Sequence, residues 1–259
     1  MKYMTSRIKP VIGVSQRGFT LVEMMVAITI SVFLAGGLLM MVQSTRNAFG
    51  NQQLLAQLQD NQRLVMTFMA EVVESAGYFP DPVHNTSIGV FPLNGTFPAA
   101  NGQAVYGTHS AGPTGDKIWI RYAAAQNDNS IFNCKGLTNT TVAPYDVFVN
   151  EFWVDNTVPA NPVLTCTVSS TAIGAPTPIP LVNGVQNLTI LYGVKRNTAA
   201  DTGSCADTYL TTSQMTGPDW SNVCAINVSM SFINPLNPGG PPIVIQRVIA
   251  TMSAGGVNS

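Results

Sequence analysis

The sequence predicts an α+β fold: a long N-terminal α-helix, membrane-spanning in its first half and amphipathic in its second, packed on a C-terminal globular domain dominated by antiparallel β-sheet. Three observations carry this reading. Residues 19–42 are apolar, small or hydroxyl residues with a single full charge, Glu23. No proline occurs between Pro10 and Pro80, so nothing interrupts a helix across that span. Beyond Pro80 the chain of 259 residues is poor in charge, at 10%, and rich in Gly, Pro, Thr, Asn and Ser, as short strands joined by turns require.

The first element is a membrane segment. About 20 apolar residues cross a bilayer as helix, and residues 19–42 supply 24. Lys2, Arg7, Lys9 and Arg17 precede the run without an acid among them. The positive-inside rule therefore places residues 1–17 in the cytoplasm and the bulk of the chain outside. The run is longer than the apolar core of a secretory signal, and Ala35, Gly36 and Gly37 form only a weak cleavage site inside it. An uncleaved signal anchor is the plain alternative, but it leaves Glu23 unexplained. Cleavage between Gly18 and Phe19 would expose an α-amino group four residues before Glu23, removing the desolvation cost of a lone intramembrane acid. In a stack of helices the acid of one subunit would meet the amine of the next.

Gly18, Phe19, Thr20, Leu21, Val22 and Glu23, behind a basic leader, resemble the class III leader-cleavage motif of type IV prepilins and type II secretion pseudopilins. The resemblance implies cleavage after Gly18 and N-methylation of Phe19 by a prepilin peptidase. It also implies that Glu23 serves subunit alignment and assembly.

The helix is expected to continue to Ala76. Leu54, Leu55, Leu58, Val65, Phe68, Met69, Val72, Val73 and Ala76 recur at spacings of three and four. Gly77, with Pro80 behind it, is the expected stop. The unit 19–76 would be about 87 Å long. Gly36 and Gly37 mark either a bend or close packing between helices. A coiled-coil stalk is disfavoured, because the apolar pattern is short and lacks regular flanking charge pairs.

After a loop-rich stretch to about residue 114, strands are expected at 117–123, 147–154, 163–168, 188–194, 225–232 and 243–252, forming an antiparallel sheet. The segments ESAGYF (74–79), GDKIWIRY (115–122), CKG (134–136), VLTC (163–166) and LVNGVQNLTILYGV (181–194) resemble the PilW-type minor pilins of type IV pili. The closing TMSAGGVNS departs from that family's usual final strand. The implied organisation is a cleaved leader (1–18), a transmembrane and filament-core helix (19–42), an amphipathic helix (43–77) and a pilin domain (78–259).

Cys134, Cys166, Cys205 and Cys224 all lie on the exported side, where an oxidising periplasm permits disulfides. Four cysteines allow three pairings. The sequential pairing, Cys134–Cys166 with Cys205–Cys224, encloses short loops and is preferred over the others and over free thiols. No CxxC pair exists and His84 and His109 are remote from every Cys, so no metal and no cofactor is expected. There is no GxSxG, HExxH or P-loop pattern, and His84 and His109 are poor candidates for a general base. Asp116, Asp201, Asp207 and Asp219 do not reproduce an EF-hand spacing and read as turn and cap residues.

Beyond the membrane run, eight bases face twelve acids without a basic cluster, so no nucleic-acid partner is expected. The resemblance implies an inner-membrane, single-pass minor pilin that primes pilus assembly and is displayed on the cell-surface pilus. Its partners would be other minor pilins, the major pilin, the prepilin peptidase and the inner-membrane assembly platform. The alternatives are a J-type secretion pseudopilin, a pilus-displayed adhesin or DNA-uptake module, and, last, a membrane-anchored enzyme.

Overall fold

The computed structural model describes residues 18–110, 112, 114–171, 173, 176–197 and 205–252. The basic leader residues, Asp201 and the closing 253–259 stretch lie outside the described residues. The chain forms two compact units, Met1–Gln53 and Leu54–Ser259.

Helix α1, Leu21–Glu74, is one unbroken α-helix of 54 residues. It is two residues shorter at each end than the pattern predicted, and both ends have local causes. At the start, the Thr20 hydroxyl takes the Glu23 N–H and so acts as the cap. At the finish, Ala76 N–H turns back to Val73 O and Gly77 adopts φ 80°, a left-handed conformation that suits glycine and ends the helix. Gly36 and Gly37 lie within the regular helix, so of the two explanations offered for them local unwinding is not seen.

In the first unit the apolar side chains of the 19–42 run are exposed. By length and composition this helix is long and apolar enough to cross a membrane. Its hydroxyls are already satisfied: Thr29 Oγ1 donates to Met25 O and Ser31 Oγ to Ala27 O, both at 2.7 Å. Such back-bonding lets a polar side chain sit in an apolar environment.

In the second unit, α1 buries Val65, Met66, Met69, Ala70, Val72 and Val73, followed by Ala76. These join the inner faces of two sheets in a single core. Burial starts later than the pattern suggested, since Leu54 is 42% exposed and Leu55, Leu58 and Phe68 are half-buried.

The five-stranded sheet runs in chain order, all antiparallel: β1 (Val105–His109), β2 (Asp116–Ala125), β3 (Tyr145–Asp155), β4 (Val163–Ser169) and β5 (Ile179–Asn183). The four-stranded sheet comprises β6 (Val185–Val194), β7 (Thr208–Leu210), β8 (Val223–Phe232) and β9 (Ile243–Ala250), also antiparallel and in the order β7-β6-β8-β9. Strict alternation explains the inward faces. In β3 the buried positions are Asp146, Phe148, Asn150, Phe152 and Val154; in β8 they include Ile226, Val228, Met230 and Phe232.

Six of the nine strands among the described residues coincide with the expected segments. A single sheet was anticipated, and the structure has two. The division falls at Gly184, where the chain leaves β5 and enters β6: Gly184 N–H donates to Pro162 O and Gly184 O accepts from Ile233 N–H, each at 2.8 Å. Three short strands had escaped the pattern: β1 inside a Gly- and Pro-rich stretch, β5 because of Pro180, and β7 because it has three residues. Short helices α2 (Ser87–Val90) and α3 (Gly217–Ser221) and a 3₁₀ turn (Thr212–Gln214) complete the described elements.

Arg121 of β2 organises the excursion between α1 and β1. Its guanidinium donates to Phe91 O at 3.0 Å and Pro92 O at 2.9 Å, and Nε donates to Gln103 O. It lies over the Phe97 ring, 4.1 Å from the centroid. Burial lowers its pKa to about 10, and carbonyl dipoles and ring faces take the place of water.

The two sheets are joined where Gly115, at φ 80°, bridges Leu188 of β6. A Cβ at Gly115 would run into the Leu188 carbonyl oxygen. Gly115→Ala is therefore expected to lower stability by about 1–3 kcal/mol through combined strain and collision. Denaturant unfolding of the full chain in detergent checks this, with the open position Gly136→Ala, also at positive φ, as the strain-only comparison.

Candidate functional site

The residues singled out at the start of the apolar run form a compact polar constellation. Gly18, Phe19 and Thr20 precede the helix, and Phe19 is 83% exposed. Thr20 N–H donates to Glu23 Oε2 at 3.3 Å, Thr20 Oγ1 donates to the same oxygen at 3.2 Å, and Glu23 N–H donates to Thr20 Oγ1 at 3.3 Å. This is a reciprocal capping box. It satisfies two orphan N–H groups of the first turn and sets a carboxylate at the positive end of the helix dipole. The pattern Thr-x-x-Glu before an apolar run announces such a box in the sequence; reading Glu23 only as an intersubunit charge overlooked it. Glu23 Oε1 accepts no hydrogen bond among the described residues.

The cysteines pair sequentially. Cys134 joins Cys166 with Cα atoms 6.4 Å apart, tying the β2–β3 connection to β4. Cys205 joins Cys224 with Cα atoms 6.0 Å apart, tying the approach to β7 onto β8. Each staple closes within the elements of one sheet.

The structure disperses the remaining candidates. His84 sits in an exposed turn with its Nδ1 2.8 Å from Asp81 Oδ2. His109 Nδ1 lies 2.6 Å from Asp116 Oδ1 at the β1–β2 junction. Asp116 is not a turn residue as expected: it is buried at the start of β2, and its Oδ2 accepts the Ile190 N–H of β6 at 2.7 Å, linking the sheets. Asp219 does serve as a cap, whereas Asp207 ties together two segments distant in sequence instead of forming a turn. Asp207 accepts the N–H groups of Arg196 and Asn197, which hold its carboxyl below the usual range. Among the described residues no group of three or more His, Cys, Asp or Glu could hold a metal ion.

Asp219 is gripped by Arg196 through Nη2 at 2.7 Å and Nε at 3.2 Å, and accepts Thr216 N–H at 2.7 Å as the return half of the α3 capping box. The Arg196 hydrogen bond foremost, then those of Thr216, hold its carboxyl well below the usual carboxylate range. A depressed folded-state pKa means that this stabilisation is complete above about pH 4 and fades as pH falls. Asp219→Asn is therefore expected to cost about 1–3 kcal/mol near neutrality. The gap in thermal midpoint between wild type and variant should narrow progressively on acidification.

Comparison with known families gives two matches. The family described as type IV pilus-assembly protein W (PilW) matches residues 151–235, from within β3 through β8. The prokaryotic N-terminal methylation motif matches residues 14–39, covering the capping box and most of the apolar run. No curated protein is significantly similar to the chain. The chain is thus similar to PilW-type pilin-like proteins over these two stretches, and the long apolar helix followed by antiparallel sheets is consistent with that likeness.

Proposed function

We infer that the chain is a minor pilin: a prepilin cut between Gly18 and Phe19, methylated on Phe19, and used with other minor pilins to prime a type IV pilus in the inner membrane. The organisation that goes with this reading is a leader at 1–18, a membrane and filament-core helix at 19–42, an amphipathic helix at 43–77 and an exported pilin domain at 78–259. The basic leader supports a cytoplasmic N-terminal side, and the two disulfides support an oxidising compartment for the rest.

The observation that carries the proposal is the division of labour within the Glu23 carboxylate. Oε2 is engaged by Thr20, while Oε1 accepts no hydrogen bond and stands at the head of an exposed apolar helix. A second charged donor is the natural complement of that oxygen in a low-dielectric setting. Cleavage after Gly18 would create one, as the α-amino group of Phe19 on this or a neighbouring helix. The PilW match favours a pilus role over a secretion pseudopilin. Priming, the partner pilins, the assembly platform and display on the cell surface belong to this proposal.

Mass spectrometry of the mature protein is expected to find an N-terminus at methylated Phe19 in cells with the prepilin peptidase, and the uncut chain in cells without it. An uncut chain in both overturns the reading. Glu23→Ala should still be cut at Gly18, yet lose co-purification with partner pilins and reduce piliation. Unchanged partner binding would remove Glu23 from assembly.

A further inference from the structure

Strand β9 is the last strand of the four-stranded sheet and, among the described residues, hydrogen-bonds to β8 alone. The direction of its backbone groups follows from one bond. Thr251 N–H donates to Cys224 O at 3.0 Å, in register with the Ala250–Ala225 and Ile249–Ile226 pairs. Hydrogen-bonded and non-hydrogen-bonded pairs alternate in an antiparallel ladder. The backbone groups of Ile243, Ile245, Arg247 and Ile249 therefore serve β8. Those of Val244, Gln246, Val248 and Ala250 point away from the sheet.

A strand edge with unspent N–H and C=O groups is a template for another strand, and proteins ordinarily guard it. The other three edges here are guarded. The first, β1, has five residues and is overlaid by Trp220, whose ring lies 5.0 Å from Tyr106. Strand β5 contains Pro180, which has no N–H to offer. Strand β7 has three residues and is preceded by the Cys205–Cys224 staple. By contrast β9 has eight residues, no proline, and apolar side chains left in solvent: Val244 is 56% and Val248 54% exposed.

Its charge is one-sided. Arg247 is the strand's single charged residue; it is exposed and has no carboxylate partner among the described residues. A strand laid against β9 with an acid facing Arg247 would gain a cross-strand pair, whereas a basic residue there would be repelled. The geometry points to the free edge of β9 as a strand-addition site that takes an extended apolar segment bearing a carboxylate, supplied by another polypeptide. Main-chain bonds from Val244, Gln246, Val248 and Ala250 would provide the affinity, and Arg247 with the exposed valines the selection. The inference stands on this sheet alone and survives or fails independently of the pilus reading.

Amide hydrogen exchange of the full chain in detergent micelles tests it. The probes are a synthetic peptide of about ten residues, alternating Val and Thr with one central Glu, and its Lys counterpart. In the free protein the amides of Ile245, Arg247 and Ile249 should be protected and those of Val244, Gln246, Val248 and Ala250 should exchange rapidly. The Glu peptide is expected to slow the second set about tenfold or more, and the Lys peptide much less. Arg247→Glu should reverse the preference. Gln246→Pro, which deletes an outward N–H only, should abolish the effect while Ile249 stays protected as evidence of an intact sheet.

Failure of both peptides to protect the outward amides overturns the proposal, and equal protection by both overturns its carboxylate clause. Protection that appears without peptide and grows with protein concentration assigns the edge to a second copy of the chain. Protection lost on deleting residues 253–259 assigns it to the chain's own end. Either result overturns addition by another polypeptide.

Discussion

A carboxylate at the head of a membrane-length helix is tolerable only if donors answer it, and here the first donor is Thr20. The reciprocal bonds between Thr20 and Glu23 satisfy the orphan N–H groups of the first turn within the chain itself. Downstream, Thr29 and Ser31 turn their hydroxyls onto the preceding turn. Within the apolar 19–42 run, the hydroxyls of Thr20, Thr29 and Ser31 are matched inside the helix, while one oxygen of Glu23 is not. Under the proposed function that remainder would pair with a new chain end, since in hydrocarbon an unmet acceptor is costly and a charged donor resolves it.

The second unit applies the same logic at its joints. Asp116 is buried where the two sheets meet, with one oxygen on β6 and the other on His109. Arg121 is buried where the excursion after α1 returns to β2, with three carbonyls and an aromatic face around it. Arg196 and Asp219 clasp α3 to the segment that follows β6. A charge left without partners in such places would weaken the fold, so each pins two segments in one relation.

How much of this was legible depended on the range of the determining interaction. The apolar helical run, the helix stop before Gly77 and the six longer strands follow from local periodicity and turn residues, and they lie close to where the pattern put them. The capping box was equally local and was written in Thr20 and Glu23, but attention to a distant partner concealed the near one. The division into two sheets was not legible, because β5 and β6 are separated only by Gly184 and nothing local says that the ladder partner changes from β4 to β8. Asp116 looked like a turn residue because its partner, Ile190, is distant in sequence. The late onset of burial along α1 was hidden for a related reason: Leu54 and Val73 share one amphipathic pattern, and only the sheets decide which is covered.

The arrangement of the disulfides has a consequence for biogenesis. The bridges span 32 and 19 residues and do not interleave, since Cys134–Cys166 is complete in sequence before Cys205–Cys224 begins. A polypeptide threaded through a translocation pore from its N-terminal side presents its thiols in that order. Were the chain exported as proposed, each cysteine emerging second in a pair would find its correct mate as the one still unoxidised, and vectorial secretion would favour the native connectivity. On that route an oxidant on the far side of the membrane would suffice, because no mistaken bond precedes the native one.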